Sequence, residues 1–237
     1  MYPQILQADL DISYRMNKEI CEFPSKTWYE NKLHPAQDIV GKRLCLIKSE
    51  NQTLTPLELE YDTFLNPAKP TVLVLTDTQG CSTRSETEAK LMAGLAHRLM
   101  TVYKIKPEQI ALISPHRAQN NEIIKKLEKL LFADNHSTDL DLPVIDTIER
   151  IQGAQRDIII FGLTSSDPDH ILTDFINNPN RLNVAITRAK TKLILIGSKS
   201  FFHAIPDSEN MLVKNYCFKA LYDHCKKISS IYDYVIE

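Results

Sequence analysis

The pattern of hydrophobic and polar positions predicts buried strands alternating with amphipathic helices from residue 71 onwards. Continuous apolar runs, which are typical of strands buried on both faces, occur at 71–76, 109–114, 143–147, 157–164 and 192–197. Helical periodicity is found at 85 to about 103, 116–132, 181–190 and roughly 208–227. This order predicts an α/β fold with a parallel sheet and helices on both faces.

The first 70 residues show no such alternation. Residues 1–35 are typical of helix and irregular chain, and residues 36–70 contain three prolines that interrupt any long element. A strand near 43–47, with a loop or a small insertion, is the prediction for this region. The predicted division of the chain is a leading segment at 1–70, a sheet-containing domain at 71–206 and a C-terminal helix at 207–237.

Two of the predicted helices contain further sequence signals, a capping box in one and two arginines in the other. Ser85 and Glu88 have the spacing of a capping box, which marks the start of one helix. In the other, Arg181 and Arg188 are seven residues apart, close to two helical turns, and would lie on one face. Apolar residues cover much of the rest of that helix. It would therefore be held in the core and would aim two guanidinium groups at an anion.

Composition limits the class of protein. Hydrophobic residues make up 43% of the 237 residues, charged residues 24%, and the formal net charge is −2, so any nucleic-acid surface must be local. No apolar run approaches the roughly 20 residues that cross a bilayer, and the N-terminus lacks the pattern of a secretion signal. Five scattered cysteines without a CxxC pair indicate reduced thiols in a cytoplasmic protein and argue against a zinc site.

Two phosphate-binding motifs are absent from the sequence. There is no G-x-x-x-x-G-K-[ST] and no G-x-G-x-x-G, and the chain has only six glycines. We expect that the chain cannot build the usual phosphate cradle by itself.

Polar segments follow the predicted strands. Ligands of parallel sheets bind beyond the carboxyl ends of the strands, so we expect the functional residues there. The segments in question are SPHRAQN after the second predicted strand, DTIERIQGAQRD after the third and TSSD after the fourth.

Four stretches, at 14–33, 113–120, 144–160 and 181–190, have one common explanation. Their order and spacing resemble the C-terminal half of superfamily 1 helicases, in the branch that includes the nonsense-mediated-decay RNA helicase and the Okazaki-fragment helicase-nuclease. The resemblance covers roughly residues 10–205 and implies a RecA-like domain of the P-loop NTPase fold that lacks the P-loop itself. It also implies ATP with Mg²⁺, bound mainly by an N-terminal RecA-like domain that is absent from this sequence. Single-stranded DNA or RNA and that N-terminal domain are the implied partners.

The resemblance also implies roles for individual residues. Arg188 would be an arginine finger, and Arg15 a second arginine near the γ-phosphate. The implied nucleotide-binding residues are Gln152, Gly153, Gln155 and Arg181. Gln155 stands where the family often has a glutamate that binds the ribose. Arg181 would brace the site or pair with the loop containing Gln152. The implied contacts to the nucleic-acid backbone are Ser114, His116, Asp146 and Thr147. No metal ligand is implied.

Two other functions remain open from the sequence. The chain could be a non-catalytic module derived from a helicase that binds nucleic acid or protein, although such a module has no use for two aimed guanidinium groups. A small-molecule nucleotide enzyme with a Rossmann-type sheet is disfavoured because its glycine fingerprint is missing.

Overall fold

The computed structural model describes residues 11–47, 54–133, 141–151 and 153–235. The strands are β1 Ile12–Ser13, β2 His34–Pro35, β3 Thr71–Thr76, β4 Ile110–Ser114, β5 Val144–Thr147, β6 Arg156–Gly162, β7 Ala189–Ser198 and β8 Ile231–Tyr234. The helices are α1 Lys18–Trp28, α2 Pro56–Leu65, α3 Glu86–Thr101, α4 Arg117–Ala133, α5 Pro168–Ile171, α6 Pro179–Ile186, α7 Lys199–His203 and α8 Glu209–Lys227. A short 3-10 helix, Pro107–Gln109, precedes β4.

Six of these strands form one sheet in the order β5-β4-β6-β7-β3-β8, and every pair of neighbours is parallel. Successive strand residues alternate between two apolar clusters, with Leu73 in one and Val74 in the other. Helices α1, α6, α7 and α8 cover the first face, and α2, α3 and α4 cover the second. The predicted parallel sheet with helices on both faces is confirmed.

The leading segment differs most from its prediction. The strand expected at 43–47 is wrong, because these residues form irregular chain. Helix α2 was missed because Pro56 was interpreted as a breaker, whereas it occupies the first turn, where proline is favourable. Thr55 caps this helix and forms a complete capping box with Glu58. The short edge strand β8 was also missed.

The start of α3 satisfies only half of the predicted capping box. The Ser85 hydroxyl accepts a hydrogen bond from the Glu88 amide at 3.3 Å, as expected for an N-cap. The Glu88 carboxylate does not return to Ser85; its Oε2 accepts a hydrogen bond from the Thr164 amide at 2.8 Å. Glu88 is fully buried, and burial raises its pKa to about 8, against the effect of the Thr164 amide.

Helix α6 is shorter than predicted. It ends at Ile186, and the Thr187 hydroxyl donates a hydrogen bond to the carbonyl of Asn183 at 2.8 Å. Strand β7 already begins at Ala189, so Arg188 lies in the turn between them. The expectation that Arg181 and Arg188 share one helix face is therefore wrong.

Candidate functional site

Three of the residues predicted to contact a nucleotide, Arg15, Gln155 and Arg188, lie at the amino edge of the sheet rather than at the carboxyl edge. Arg156 pairs with Ala189, so Gln155 and Arg188 directly precede the adjacent strands β6 and β7. The chain after β5 runs back across the sheet before β6 begins. The expected carboxyl-edge position is thus wrong for the end of the DTIERIQGAQRD segment, because all the strands are parallel and this segment must return to the opposite edge.

Arg15 reaches this edge from the segment before α1. Its Nε donates a hydrogen bond to Gln155 Oε1 at 3.1 Å, and one terminal nitrogen donates to the Thr187 carbonyl at 2.7 Å. The side chain is therefore fixed to both segments that border the site, although Arg15 is distant from them in sequence.

Arg188 lies beside Arg15. Its Nε donates to the Val184 carbonyl at 3.2 Å, and one terminal nitrogen lies 3.4 Å from the Ala154 carbonyl. Burial lowers the pKa of Arg188, the Arg15 guanidinium lowers it further, and Tyr29 acts in the opposite direction. Among the residues that the structure describes, neither arginine forms an ion pair with a carboxylate. We call Arg15 and Arg188 the arginine pair; they form a partly buried, uncompensated positive site.

Tyr29 and Asn183 also border the arginine pair, and the sequence analysis did not assign them to it. Asn183 Nδ2 donates a hydrogen bond to the Tyr29 hydroxyl at 3.1 Å. Asn183 Oδ1 is buried and lacks a hydrogen-bond partner in the described part of the chain. Both residues belong to stretches that carry the resemblance, which is the signal that could have identified them.

Gly153 lies on the return segment at a φ of +89°, in a region that favours glycine. A Cβ at this position would meet nothing within 4 Å, so the glycine serves the backbone conformation rather than a close approach within the chain. Gln152, which precedes it, lies outside the described residues.

Arg181 does not join the arginine pair. One terminal nitrogen lies 2.6 Å from Glu149 Oε1, and the other donates to the Phe175 carbonyl at 2.6 Å. Its guanidinium carbon lies 3.8 Å from the centre of the Phe175 ring. Arg181 therefore fixes α6 to the first part of the segment that runs from β5 back to β6.

The predicted nucleic-acid contacts lie at the carboxyl edge, where Ser114 pairs with Thr147 on neighbouring strands. Their polar groups are largely engaged within the protein. The buried Ser114 hydroxyl lies 2.7 Å from Asn120 Oδ1 and 3.0 Å from the His116 carbonyl. Asp146 accepts a hydrogen bond from the Thr147 amide at 2.8 Å, and Thr147 is itself buried.

His116 is half-buried at the same edge. Its ring stacks on Phe175 at a centroid distance of 5.2 Å, and its Nε2 lies 3.2 Å from Nε2 of His170. Burial, followed by His170 and Arg181, lowers the pKa of His116 to about 4. At neutral pH this imidazole is uncharged, so it can offer a hydrogen bond but no positive charge to a phosphate.

A family model described as an AAA domain matches residues 4–200, which is most of the chain. The chain belongs to this AAA domain family. It is 31% identical over 201 residues to DNA polymerase alpha-associated DNA helicase A of Saccharomyces cerevisiae. It is 29% identical over 195 residues to the Regulator of nonsense transcripts 1 homolog of Drosophila melanogaster, and 28% identical over 220 residues to the human DNA replication ATP-dependent helicase/nuclease DNA2. These matches cover 80%, 80% and 86% of this chain but only 27%, 15% and 20% of the relatives.

These relatives confirm the resemblance to superfamily 1 helicases. In the part of the chain that the structure describes, no helix is long and apolar enough to span a membrane. The same residues contain no group of three or more histidine, cysteine or acidic side chains that could hold a metal ion.

Proposed function

We propose that this domain is the C-terminal motor domain of an ATP-dependent DNA or RNA helicase. It would supply Arg188 and Arg15 to an ATP molecule that a separate N-terminal RecA-like domain holds. The observation that carries the proposal is the arginine pair, two guanidinium groups fixed at one edge of the sheet without a carboxylate partner among the described residues.

The chemistry of phosphoryl transfer fits this arrangement. Negative charge spreads over the γ-phosphoryl oxygens in the transition state, and catalysis depends mainly on positioning and on neutralising that charge. Arg188 and Arg15 are bound to neutral groups, the carbonyls of Ala154, Val184 and Thr187 and the amide oxygen of Gln155. A guanidinium group binds a carboxylate more strongly than it binds a neutral carbonyl, because opposite charges attract. A phosphate oxygen therefore displaces these neutral acceptors more easily than it would displace a carboxylate.

The side chains at the arginine pair suit a nucleotide phosphate and do not suit Mg²⁺. The pair supplies cationic donors, whereas Mg²⁺ needs oxygen ligands, mostly carboxylates and phosphates. Gln155 binds Arg15 through its Oε1, so its amide nitrogen would be the group that donates to a ribose hydroxyl. Mg²⁺ would have to be held by the N-terminal domain together with the phosphates of ATP. The ion would polarise these phosphates and neutralise their charge.

Domain closure would couple ATP hydrolysis to movement. The segment from 148 to 155 begins at the carboxyl edge, where nucleic acid would bind, and ends at the arginine pair. The 2.6 Å ion pair between Arg181 and Glu149 holds its first part against α6. We propose that this segment transmits the presence of nucleic acid at one edge to the nucleotide site at the other.

The isolated domain tests whether ATP hydrolysis requires the N-terminal RecA-like domain. We expect no Mg²⁺-dependent phosphate release from ATP by this chain alone, because it lacks a phosphate-binding loop. Fusing or mixing it with an N-terminal RecA-like domain of its family should produce turnover that single-stranded nucleic acid stimulates. Robust turnover by the isolated chain would contradict the proposal. Nucleic-acid binding by a combination that never hydrolyses ATP would favour a non-catalytic module.

A further inference from the structure

The carboxyl edge carries three arginines that the sequence analysis did not assign. Arg150 follows β5, Arg117 is the first residue of α4 after β4, and Arg84 directly precedes Ser85, the N-cap of α3. Because the strands are parallel, all three lie at the edge that also holds Ser114 and His116. We call Arg84, Arg117 and Arg150 the arginine track.

The loop that carries Arg84 is fixed against α4. The Ser85 amide donates a hydrogen bond to Gln119 Oε1 at 2.8 Å, and Gln119 Nε2 donates to the Ser85 carbonyl at 3.0 Å. Gln119 is completely buried and lies two residues after Arg117. Arg84 and Arg117 are therefore held near each other, although they follow strands that are not neighbours in the sheet.

Each arginine of the track is available to a ligand. Arg117 is exposed, and within the described ranges it has no hydrogen-bond or ion-pair partner. The Arg84 guanidinium lies 4.0 Å from Glu122, and the Arg150 Nε lies 3.4 Å from Asp146; both arginine side chains are 65% exposed. The carboxylates of Glu122 and Asp146 are only 14% and 28% exposed, but the guanidinium groups lie in solvent and can bind a further anion.

Several acidic groups that face the same edge are already paired. Lys199 Nζ lies 2.9 Å from both Asp77 and Asp233, and Glu149 is paired with Arg181. Lys199 is shared by two carboxylates, so a net charge of −1 remains there, but Asp77 follows β3 and Asp233 lies in β8, at the opposite end of the sheet from β4 and β5. Glu149 is balanced by Arg181. Ser114 and Thr147 at the same edge are buried, whereas the side chains of Arg84 and Arg150 are 65% exposed.

We propose that the arginine track is the phosphate-binding element of this domain, and that it contacts successive phosphodiester groups of a single strand. The inference rests on the proposed function and adds the residues that recognise the strand. Arg150 and Arg117 follow neighbouring strands, which are about 5 Å apart, and Arg84 lies against α4, 4.0 Å from Glu122. Guanidinium groups bind phosphate oxygens with two parallel hydrogen bonds, and such contacts carry little sequence information.

Binding of fluorescein-labelled oligo(dT) and oligo(U) to this chain, followed by anisotropy at low salt, tests the proposal. The triple variant Arg84→Ala, Arg117→Ala, Arg150→Ala should bind at least about tenfold more weakly. The slope of log affinity against log salt should become less steep by about 2, because about 0.7 counterions are released for each phosphate of a single strand. The two oligonucleotides show whether the backbone of DNA, of RNA or of both is the ligand.

The matched control removes the same charge from the opposite edge. Lys104, Lys106 and Lys227 are exposed and precede β4 or β8, so their triple alanine variant should bind like the unmodified chain. Arg117→Ala alone, which removes a side chain without an internal partner in the described structure, should lose part of the affinity without a change in melting temperature.

Each outcome decides the proposal. Equal losses in both triple variants, or unchanged binding by the track variant, would overturn the arginine track while leaving nucleic-acid binding by the domain intact. Absence of binding by the unmodified chain to either oligonucleotide would overturn both the track and the nucleic-acid contact. The arginine pair would be unaffected by either result, because ATP turnover tests it separately.

Discussion

Replacing Arg188 with alanine is expected to reduce ATP turnover by the assembled motor about 10³-fold, with a much smaller effect on ATP affinity. The guanidinium would act on charge that develops in the transition state, so its loss should lower kcat more than it weakens binding. Arg188→Lys should restore little of the activity, because an ammonium group cannot reproduce the planar fork. Phosphate release at saturating nucleic acid and fluorescent-nucleotide binding measure the two quantities.

Two controls accompany the Arg188 variants. Arg43→Ala removes an arginine that pairs with Glu19 in the leading segment, and it should keep normal turnover. Thermal unfolding should show that Arg188→Ala remains folded, since the side chain contributes only two hydrogen bonds to backbone carbonyls. Turnover of Arg188→Ala within a few-fold of the unmodified motor would contradict the role of Arg188.

Replacing Glu88 with glutamine is expected to change the pH dependence of stability. Burial raises the pKa of Glu88 from its ordinary value of 4.5 to about 8, so the folded chain binds a proton that the unfolded chain releases between these values. Glu88 therefore destabilises the fold increasingly as pH rises from about 4.5 through about 8. Glutamine has the same shape as glutamate and can still accept the hydrogen bond from the Thr164 amide, but it does not ionise. The loss of stability with rising pH should therefore disappear in this variant.

Urea denaturation at about pH 5 and about pH 9 measures the effect, because most of the window from about 4.5 to about 8 lies between these two pH values. Glu88→Gln and the unmodified chain should be similarly stable at the lower pH, and the variant should be more stable at the higher pH, by an amount on the order of a few kcal/mol. The exposed Glu108→Gln is the matched control and should follow the unmodified chain. A difference between Glu88→Gln and the unmodified chain that does not grow with pH would contradict the buried, protonated carboxyl.

The buried Lys192 has the opposite effect on the pH dependence of stability. Burial lowers the pKa of Lys192 to about 7, so its contribution to stability rises with pH from about 7 to its ordinary value of 10.5. Its Nζ donates hydrogen bonds to the carbonyls of Asn66 and Lys69. Because Lys192 is present in all three proteins, its effect cancels when the variants are compared at each pH.

Much of the fold could be predicted because the central strands are continuous apolar runs. Residues such as Val72, Ile159 and Ile194 are completely buried, which a sheet covered on both faces requires. Local sequence patterns predicted the ends of helices less accurately. Periodicity alone extended α6 to Lys190, whereas the turn at Thr187 and Arg188 is set by pairing of Ala189 with Arg156 in the sheet.

The geometry of the sites depended on contacts distant in sequence. Glu88 matched a capping box locally, but its carboxylate binds an amide 76 residues away. The resemblance implied that Arg15 and Arg188 contact a nucleotide, yet strand periodicity could not indicate which edge of the sheet they occupy. That edge follows from the return of the chain between β5 and β6, which only the strand order reveals.

The most direct test of the central claim is a structure of the assembled motor bound to ADP, Mg²⁺ and aluminium fluoride, which occupies the position of the γ-phosphoryl group. The account predicts that the guanidinium groups of Arg15 and Arg188 leave their carbonyl partners and lie about 3 Å from the fluoride ligands. If both side chains instead remain bound to Ala154, Val184 and Thr187, out of hydrogen-bonding distance of the fluoride, this domain does not supply the arginine fingers.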